Sequence, residues 1–297
     1  AIEAAWRGSR AVPTTELMLD LCEFVYAGGV LISVSRSGNS PESVAVIARA
    51  QRLLPDVRHI VLTCSKEGKL AGWPGVESIV LDERTNDRAL AMTSSFSNLA
   101  LAGITLARPA DTQRALPILC GGWQKGFEEM EKKANALAKE PPLRAVALAS
   151  APMFGAAREA CLKLVELTAG HITPTVDSYL GLRHGPMSFV QADTLVLCFL
   201  SSDVSRRRYE LDLVRELRAK KLGKLIGMGV PDAEEGLFDE IVTTAASSLP
   251  DYLRTPAEIV FPQLLAYHLG LTLGLDPDNP SPGGVINRVV QGVRIYD

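Results

Sequence analysis

The stretch Val30–Glu42, "VLISVSRSGNSPE", decides the fold. Its first half is the near-continuous apolar run of a parallel strand buried on both faces. Serines at 35, 37 and 40 follow, with Arg36 and Gly38 among them. Pro41, pre-set for a first helical position, then opens "PESVAVIARAQRLL", with Ser40 in the N-cap place. Val44, Ile47, Ala48 and Leu54 are the expected apolar face of that helix. Residues 195–218, "LVLCFLSSDVSRRRYELDLVRELR", repeat the order strand, polar turn, helix. The chain therefore reads as a tandem duplication of one doubly wound α/β module.

Outward from these stretches the same alternation continues. In the first half, "RAVPTT" (10–15), "HIVLTC" (59–64) and "SIVLD" (78–82) are read as further strands. In the second half the strands are "RAVALAS" (144–150), "ITPTV" (172–176), "KLIGMGV" (224–230) and "EIVTT" (240–244). A charged helix closed by Pro141-Pro142 divides the modules, giving 1–139 and 140–297. The second module opens with a strand and helix (144–169) that have no counterpart in the first. The opening strand and loop of module one are thus expected to be absent from this sequence.

Composition narrows the function. The 297 residues are 47% hydrophobic with a net charge of −3, the mean hydropathy is +0.12 and the pI about 5.9. A large core is expected, and neither a nucleic-acid surface nor an anionic-membrane surface. Five cysteines without a CxxC pair read mostly as small buried hydrophobes in a reducing compartment. Four histidines lack ligand spacing, so no metal is expected. No signal peptide and no run long enough to span a bilayer is visible, which points to the cytoplasm.

Ligands of doubly wound sheets sit beyond the carboxyl ends of the strands, where helix N-termini present free N–H groups and positive potential. Ser35, Ser37, Ser40 and Ser43 add hydroxyl donors there, and Gly38 allows close backbone approach. The turn is read as a phosphate loop; an ordinary serine-rich turn with one N-cap is the alternative. Neither GxxxxGK[ST] nor GxGxxG is present, which favours a phosphate monoester over a nucleotide and implies no cofactor.

"SVSRSGNSPES" resembles the phosphate loop of sugar-isomerase (SIS) domains, which occur as tandem pairs. "TNDRALAMTSSFSNLAL" (85–101), "EACLKLVELTAG…SYLGLRHGPMSFV" (159–190) and "DNPSPGGVINRVVQGVRIYD" (278–297) are similar to the AgaS-type branch. Its members are described as galactosamine-6-phosphate deaminase/isomerases or tagatose-6-phosphate ketose/aldose isomerases. The resemblance implies two flavodoxin-like domains, each a five-stranded parallel sheet flanked by helices, the first without its opening strand. It implies a hexose or amino-sugar phosphate as substrate. The family's first-strand loop also touches the sugar phosphate, so its absence here bears on the activity of the sequence as it stands.

By the same resemblance Glu166 is the carboxylate that shuttles the proton between C1 and C2, its pKa raised by partial burial. Lys163, three residues earlier on one helix face, either steadies that carboxylate, binds a sugar oxygen or forms a plain surface ion pair. His184, fixed by the following Gly185-Pro186, is the expected ring-opening acid, and in relatives it reaches into a neighbouring subunit's site, which implies a homodimer or homotetramer. Thr93, Ser94 and Ser95 match further hydroxyl contacts, and Asn86 and Asp87 are expected sugar ligands. The tail stretch "VINRVVQGV" has no lysine where a relative forms a Schiff base, so an enediol or enolamine route without covalent attachment is expected. A phosphosugar-binding regulator is the competing reading, but it requires neither Glu166 nor His184.

Overall fold

The computed structural model describes residues 1–229, 236–279, 281, 283–285, 287–290 and 292–296. Among the described residues eight strands form two all-parallel sheets. The first holds β1 (Val30–Ser35), β2 (Arg58–Thr63) and β3 (Val76–Val80), in that order. The second holds β4 (Arg144–Ala149), β5 (Thr173–Asp177), β6 (Leu195–Phe199), β7 (Lys224–Met228) and β8 (Glu240–Val242), ordered β5-β4-β6-β7-β8. That is the 2-1-3-4-5 order of flavodoxin-like sheets. Its central strands β4 and β6 are buried along almost their whole length, as strands covered on both faces must be.

The helices are α1 (Ile2–Ala5), α2 (Thr14–Leu19), α3 (Leu21–Phe24), α4 (Pro41–Leu53), α5 (Ser94–Ala107), α6 (Pro109–Ala138), α7 (Phe154–Leu167), α8 (Tyr179–Leu182), α9 (Val204–Ala219), α10 (Asp251–Glu258) and α11 (Val260–Thr272). Among the described residues none is long and apolar enough to cross a membrane.

The chain forms two compact units. One is Arg7–Gly103 with Ser281–Asp297, the other Ala1–Trp6 with Ile104–Pro280. These bounds differ from those of the duplicated modules because α6 packs on α10 and α11 of the second unit. In the Arg7–Gly103 unit, Leu17, Leu21 and Val25 pack with Val46, Ala50 and Val57, while Ile47, Val61 and Leu70 form a second cluster. In the other, Val146 and Leu148 of β4 and Val196 and Cys198 of β6 pack with Leu213 and Leu217 of α9. Each such leucine, removed wholly from water, contributes about 2 kcal/mol.

Several local expectations are corrected. Residues 10–15 are not a strand: Pro13, with no N–H to give a ladder, stands at the N-cap of α2, and the chain turns helical at Thr14. The first sheet consequently has three strands, not the four read in the sequence or the five of a full module. Ser40 occupies the N-cap of α4 and Pro41 its first turn, but the serine side chain makes no capping bond. The buried face of α4 is Val46, Ile47 and Ala50, while Ala48 is exposed, because α2 packs on the side carrying Val46 and Ala50. Cys64, Cys161 and Cys198 are buried as expected of small hydrophobes; Cys22 and Cys120 are exposed.

Candidate active site

In the Arg7–Gly103 unit the serine turn leaves the carboxyl end of β1 and enters α4. Gly38 there has φ +64°, a left-handed conformation that favours glycine. The Ser35 hydroxyl accepts from the Gly38 amide (3.2 Å) and that of Ser37 from the Asn39 amide (3.2 Å). The hydroxyl hydrogens of Ser35, Ser37, Ser40 and Ser43 have no acceptor among the described residues. They remain as donors beside the first amides of α4.

A second loop braces this turn. Thr63 donates its hydroxyl to Arg36 O (3.1 Å), Leu70 N donates to Gly38 O (3.1 Å), and Lys69 N donates to Asn39 Oδ1 (2.9 Å). Gly68 passes so close that a Cβ there would lie 2.2 Å from Ser37 O. The turn's shape is therefore imposed from outside as well as by its own hydrogen bonds.

Arg36 is buried, and its guanidinium donates to the carbonyls of Ala89, Leu90 and Arg288, each at 3.0 Å. Arg288 in turn donates to Asn86 Oδ1 (2.7 Å) and to Asp87 O (2.6 Å). Arg36 and Arg288 thus tie the serine turn, the 86–90 loop and the C-terminal stretch together. Ile286 and Gln291 of that stretch lie outside the described residues.

The N-terminus of α5 carries an internal anion. The Asp87 carboxylate accepts from the amides of Thr93, Ser94 and Ser95 and from the hydroxyls of Thr93 and Ser95. Burial pushes the Asp87 pKa up, but the hydrogen bonds from Ser95 and Thr93 outweigh it and hold the group below its ordinary value. Ser94 Oγ accepts from Asn98 (3.3 Å). The expected sugar ligands at 87 and 93–95 are joined to one another as a helix cap.

The other unit carries the acid–base candidates, on α7. Lys163 is 1% exposed and lies between Glu159, one turn earlier at 3.3 Å, and Glu166, to which it donates a short hydrogen bond. A surface ion pair is thereby ruled out. The Glu166 side chain stays 24% exposed, whereas that of Glu159 is 10% exposed. Burial, with Lys163 opposing and Glu166 adding to it, pushes the Glu159 pKa up to about 7. The sequence reading missed Glu159. Its signal is the spacing Glu159, Lys163, Glu166, which stacks three charges of alternating sign on one helix face. Such a ladder holds a carboxylate in place beside a fixed ammonium, with one carboxylate able to meet solvent.

His184 is the residue before the short 3₁₀ turn Gly185–Phe189. Its ring is exposed and has no hydrogen-bond partner among the described residues. The structure therefore places the serine turn, Arg36, Asn86 and residues 93–95 in one unit, and Lys163, Glu166 and His184 in the other.

No family model matches the chain. Among curated proteins it is 36% identical over 271 residues to the D-galactosamine-6-phosphate deaminase AgaS of a Shewanella species, covering 90% of this chain and 67% of that one. An Escherichia coli protein of the same name is 33% identical over 305 residues, covering 96% and 77%. Among solved structures, tagatose-6-phosphate ketose/aldose isomerase from Escherichia coli superposes with a TM-score of 0.86 at 30% identity, covering 97% of this chain and 77% of that one.

Proposed function

The chain belongs to the family of the D-galactosamine-6-phosphate deaminases AgaS, SIS-type phosphosugar isomerases, and on that footing we propose that it deaminates and isomerises galactosamine-6-phosphate to tagatose-6-phosphate and ammonia. The observation that carries this reading is the α7 ladder: a buried Lys163 flanked by two carboxylates, the outer of which, Glu166, reaches solvent. A phosphosugar sensor has no use for a buried lysine held between two carboxylates, since desolvating an ion costs several kcal/mol.

The serine turn at 35–40 takes the phosphate. His184 assists ring opening, and Glu166 removes the proton from C2 of the open-chain amino sugar and returns it to C1. The C2–N bond becomes an imine. Water adds to it, the C–N bond breaks, ammonia leaves and the ketose remains. Lys163 keeps the Glu166 carboxylate oriented. Without a lysine in the 285–293 stretch, no Schiff base to that tail forms. The exposed His184 ring, without a hydrogen-bond partner among the described residues, supports a homodimer or homotetramer in which it enters a neighbouring site, and the enzyme acts in the cytoplasm.

The test is incubation with galactosamine-6-phosphate, following ammonia and ketose separately, and repeating with Glu166→Gln. Both products are expected in equal amounts from the unmutated chain. The variant should lose 10²–10⁴-fold in turnover while sugar-phosphate binding persists. Thermal stabilisation without turnover in the unmutated protein would favour the sensor and overturn the proposal. Ketose formed only from a non-amino sugar phosphate would reduce the activity to plain isomerisation.

A further inference from the structure

The turn Leu200–Asp203 between β6 and α9 is the duplicate of the serine turn between β1 and α4. It lies at the crevice between β4 and β6, where the strand order reverses and doubly wound sheets take their ligands. Its donors are arranged for an anion, and five of them converge on one carboxylate, that of Asp251 at the start of α10, while the Ser201 amide donates to Glu210 Oε2 (2.7 Å). Ser202 gives Asp251 Oδ1 both its amide (2.7 Å) and its hydroxyl (2.8 Å). The Ser201 hydroxyl donates to Oδ2 at 2.5 Å. Arg206 reaches Oδ2 and Arg254 reaches Oδ1, each at 3.1 Å. Asp251 is 5% exposed and Arg254 wholly buried.

Two hydroxyls, an amide and two guanidinium groups on two oxygens exceed what a helix cap needs; the set has the composition of a phosphate-monoester cradle. In the first module the corresponding hydroxyl hydrogens have no internal acceptor among the described residues. We infer that the second module retains an anion-binding loop whose anion is built into the chain. The Asp251 carboxylate stands where a phosphate group would sit, and each chain offers one open phosphoester loop, not two. Burial pushes the Asp251 pKa up, but the bonds from Ser201, Ser202 and Arg254 more than offset it, so the built-in anion stays charged. The inference rests on the proposed function only in taking the first turn as the open counterpart.

The experiment is equilibrium dialysis of the full chain against radiolabelled inorganic phosphate, comparing the unmutated protein with Asp251→Ala and Asp251→Asn. Asp251→Ala vacates the cradle and is expected to bind one more phosphate per chain than the unmutated protein. Asp251→Asn, whose amide fills the same space, should gain none. Two phosphates against one supports both readings, whereas one against none supports the built-in anion and removes phosphate binding from the first turn. Equal counts in the unmutated and alanine proteins overturn the inference, as does a gain in Asp251→Asn matching that in Asp251→Ala. Where Asp251→Ala is unstable, phosphate should raise its thermal midpoint more than it raises that of the unmutated chain. A variant that stays unfolded in phosphate also overturns the inference.

Discussion

Replacing Glu159 by glutamine sets burial against charge pairing inside the α7 ladder. At 3.3 Å and an effective dielectric of about 20, Lys163 attracts the Glu159 carboxylate by about 5 kcal/mol. Burial nevertheless prevails, because the pKa stands at about 7 against an ordinary 4.5. Removal of this carboxylate from water, together with the smaller repulsion from Glu166, must then cost about 8 kcal/mol, within the range of several kcal/mol per buried ion. Between pH 4.5 and 7 the folded chain holds a proton on Glu159 that the unfolded chain has lost. Stability therefore falls as pH rises through that window, by about 3 kcal/mol in total, and is level above it. Glu159→Gln has no such proton to lose. Urea unfolding of both proteins at several pH values should show the variant gaining about 3 kcal/mol relative to the unmutated chain from pH 4.5 to above 7. Carbon NMR of the Glu159 carboxyl should show its titration near pH 7. A stability difference that stays constant across the window, or a carboxyl that titrates near 4.5, would refute the claim that burial outweighs the lysine. The catalytic counterpart is a pH–rate profile whose limb near 7 disappears in the variant, since Lys163 then serves Glu166 alone.

Gly68→Ala would press a methyl group against Ser37 O at 2.2 Å, so the serine turn must shift; a loss of about 1–3 kcal/mol in denaturant unfolding and weaker phosphate binding in dialysis are expected together. Arg36→Ala leaves the Ala89, Leu90 and Arg288 carbonyls without this donor, which should cost about 2–4 kcal/mol and open the 281–296 stretch to limited proteolysis; Arg36→Lys, lacking the planar fork, should not restore protection. His59 is buried with no partner at either ring nitrogen among the described residues, and burial lowers its pKa below 6.5. The unfolded chain binds that proton more readily, so stability falls as pH drops below 6.5. Thermal unfolding at pH 5 and pH 8 should show His59→Leu removing that acid-side loss, and an unchanged pH dependence would count against it.

The duplicated units were readable because β1 and β6 are both apolar runs that lead into serine turns; β6 is buried throughout, as a strand covered on both faces must be, whereas β1, at the edge of its sheet, leaves Val30 and Val34 exposed. The strand expected at 10–15 failed on Pro13: a run of β-branched residues carries strand propensity, but a missing N–H at a helix entrance decides otherwise. The face of α4 was displaced by one position because the periodicity fixes a stripe, while the neighbouring α2 selects which edge of it is covered. Asp87 lies within eight residues of the helix it caps and was visible as a polar candidate, though not as a cap. Asp251 is 49 residues from the Ser202 amide it accepts, a separation at which no local pattern pairs them. Glu159 was hidden for a different reason: in sequence, a carboxylate one turn before a lysine looks the same on a wet helix face as on a buried one.

The two compact units are not successive along the chain: one begins at Arg7, pauses at Gly103 and resumes only at Ser281. The clasp from Arg36 to the Arg288 carbonyl spans 252 positions. A ribosome delivering residues in order must release the whole intervening five-stranded sheet before that clasp can close. During synthesis the earlier serine turn therefore waits, unfastened, until Arg288 has been made.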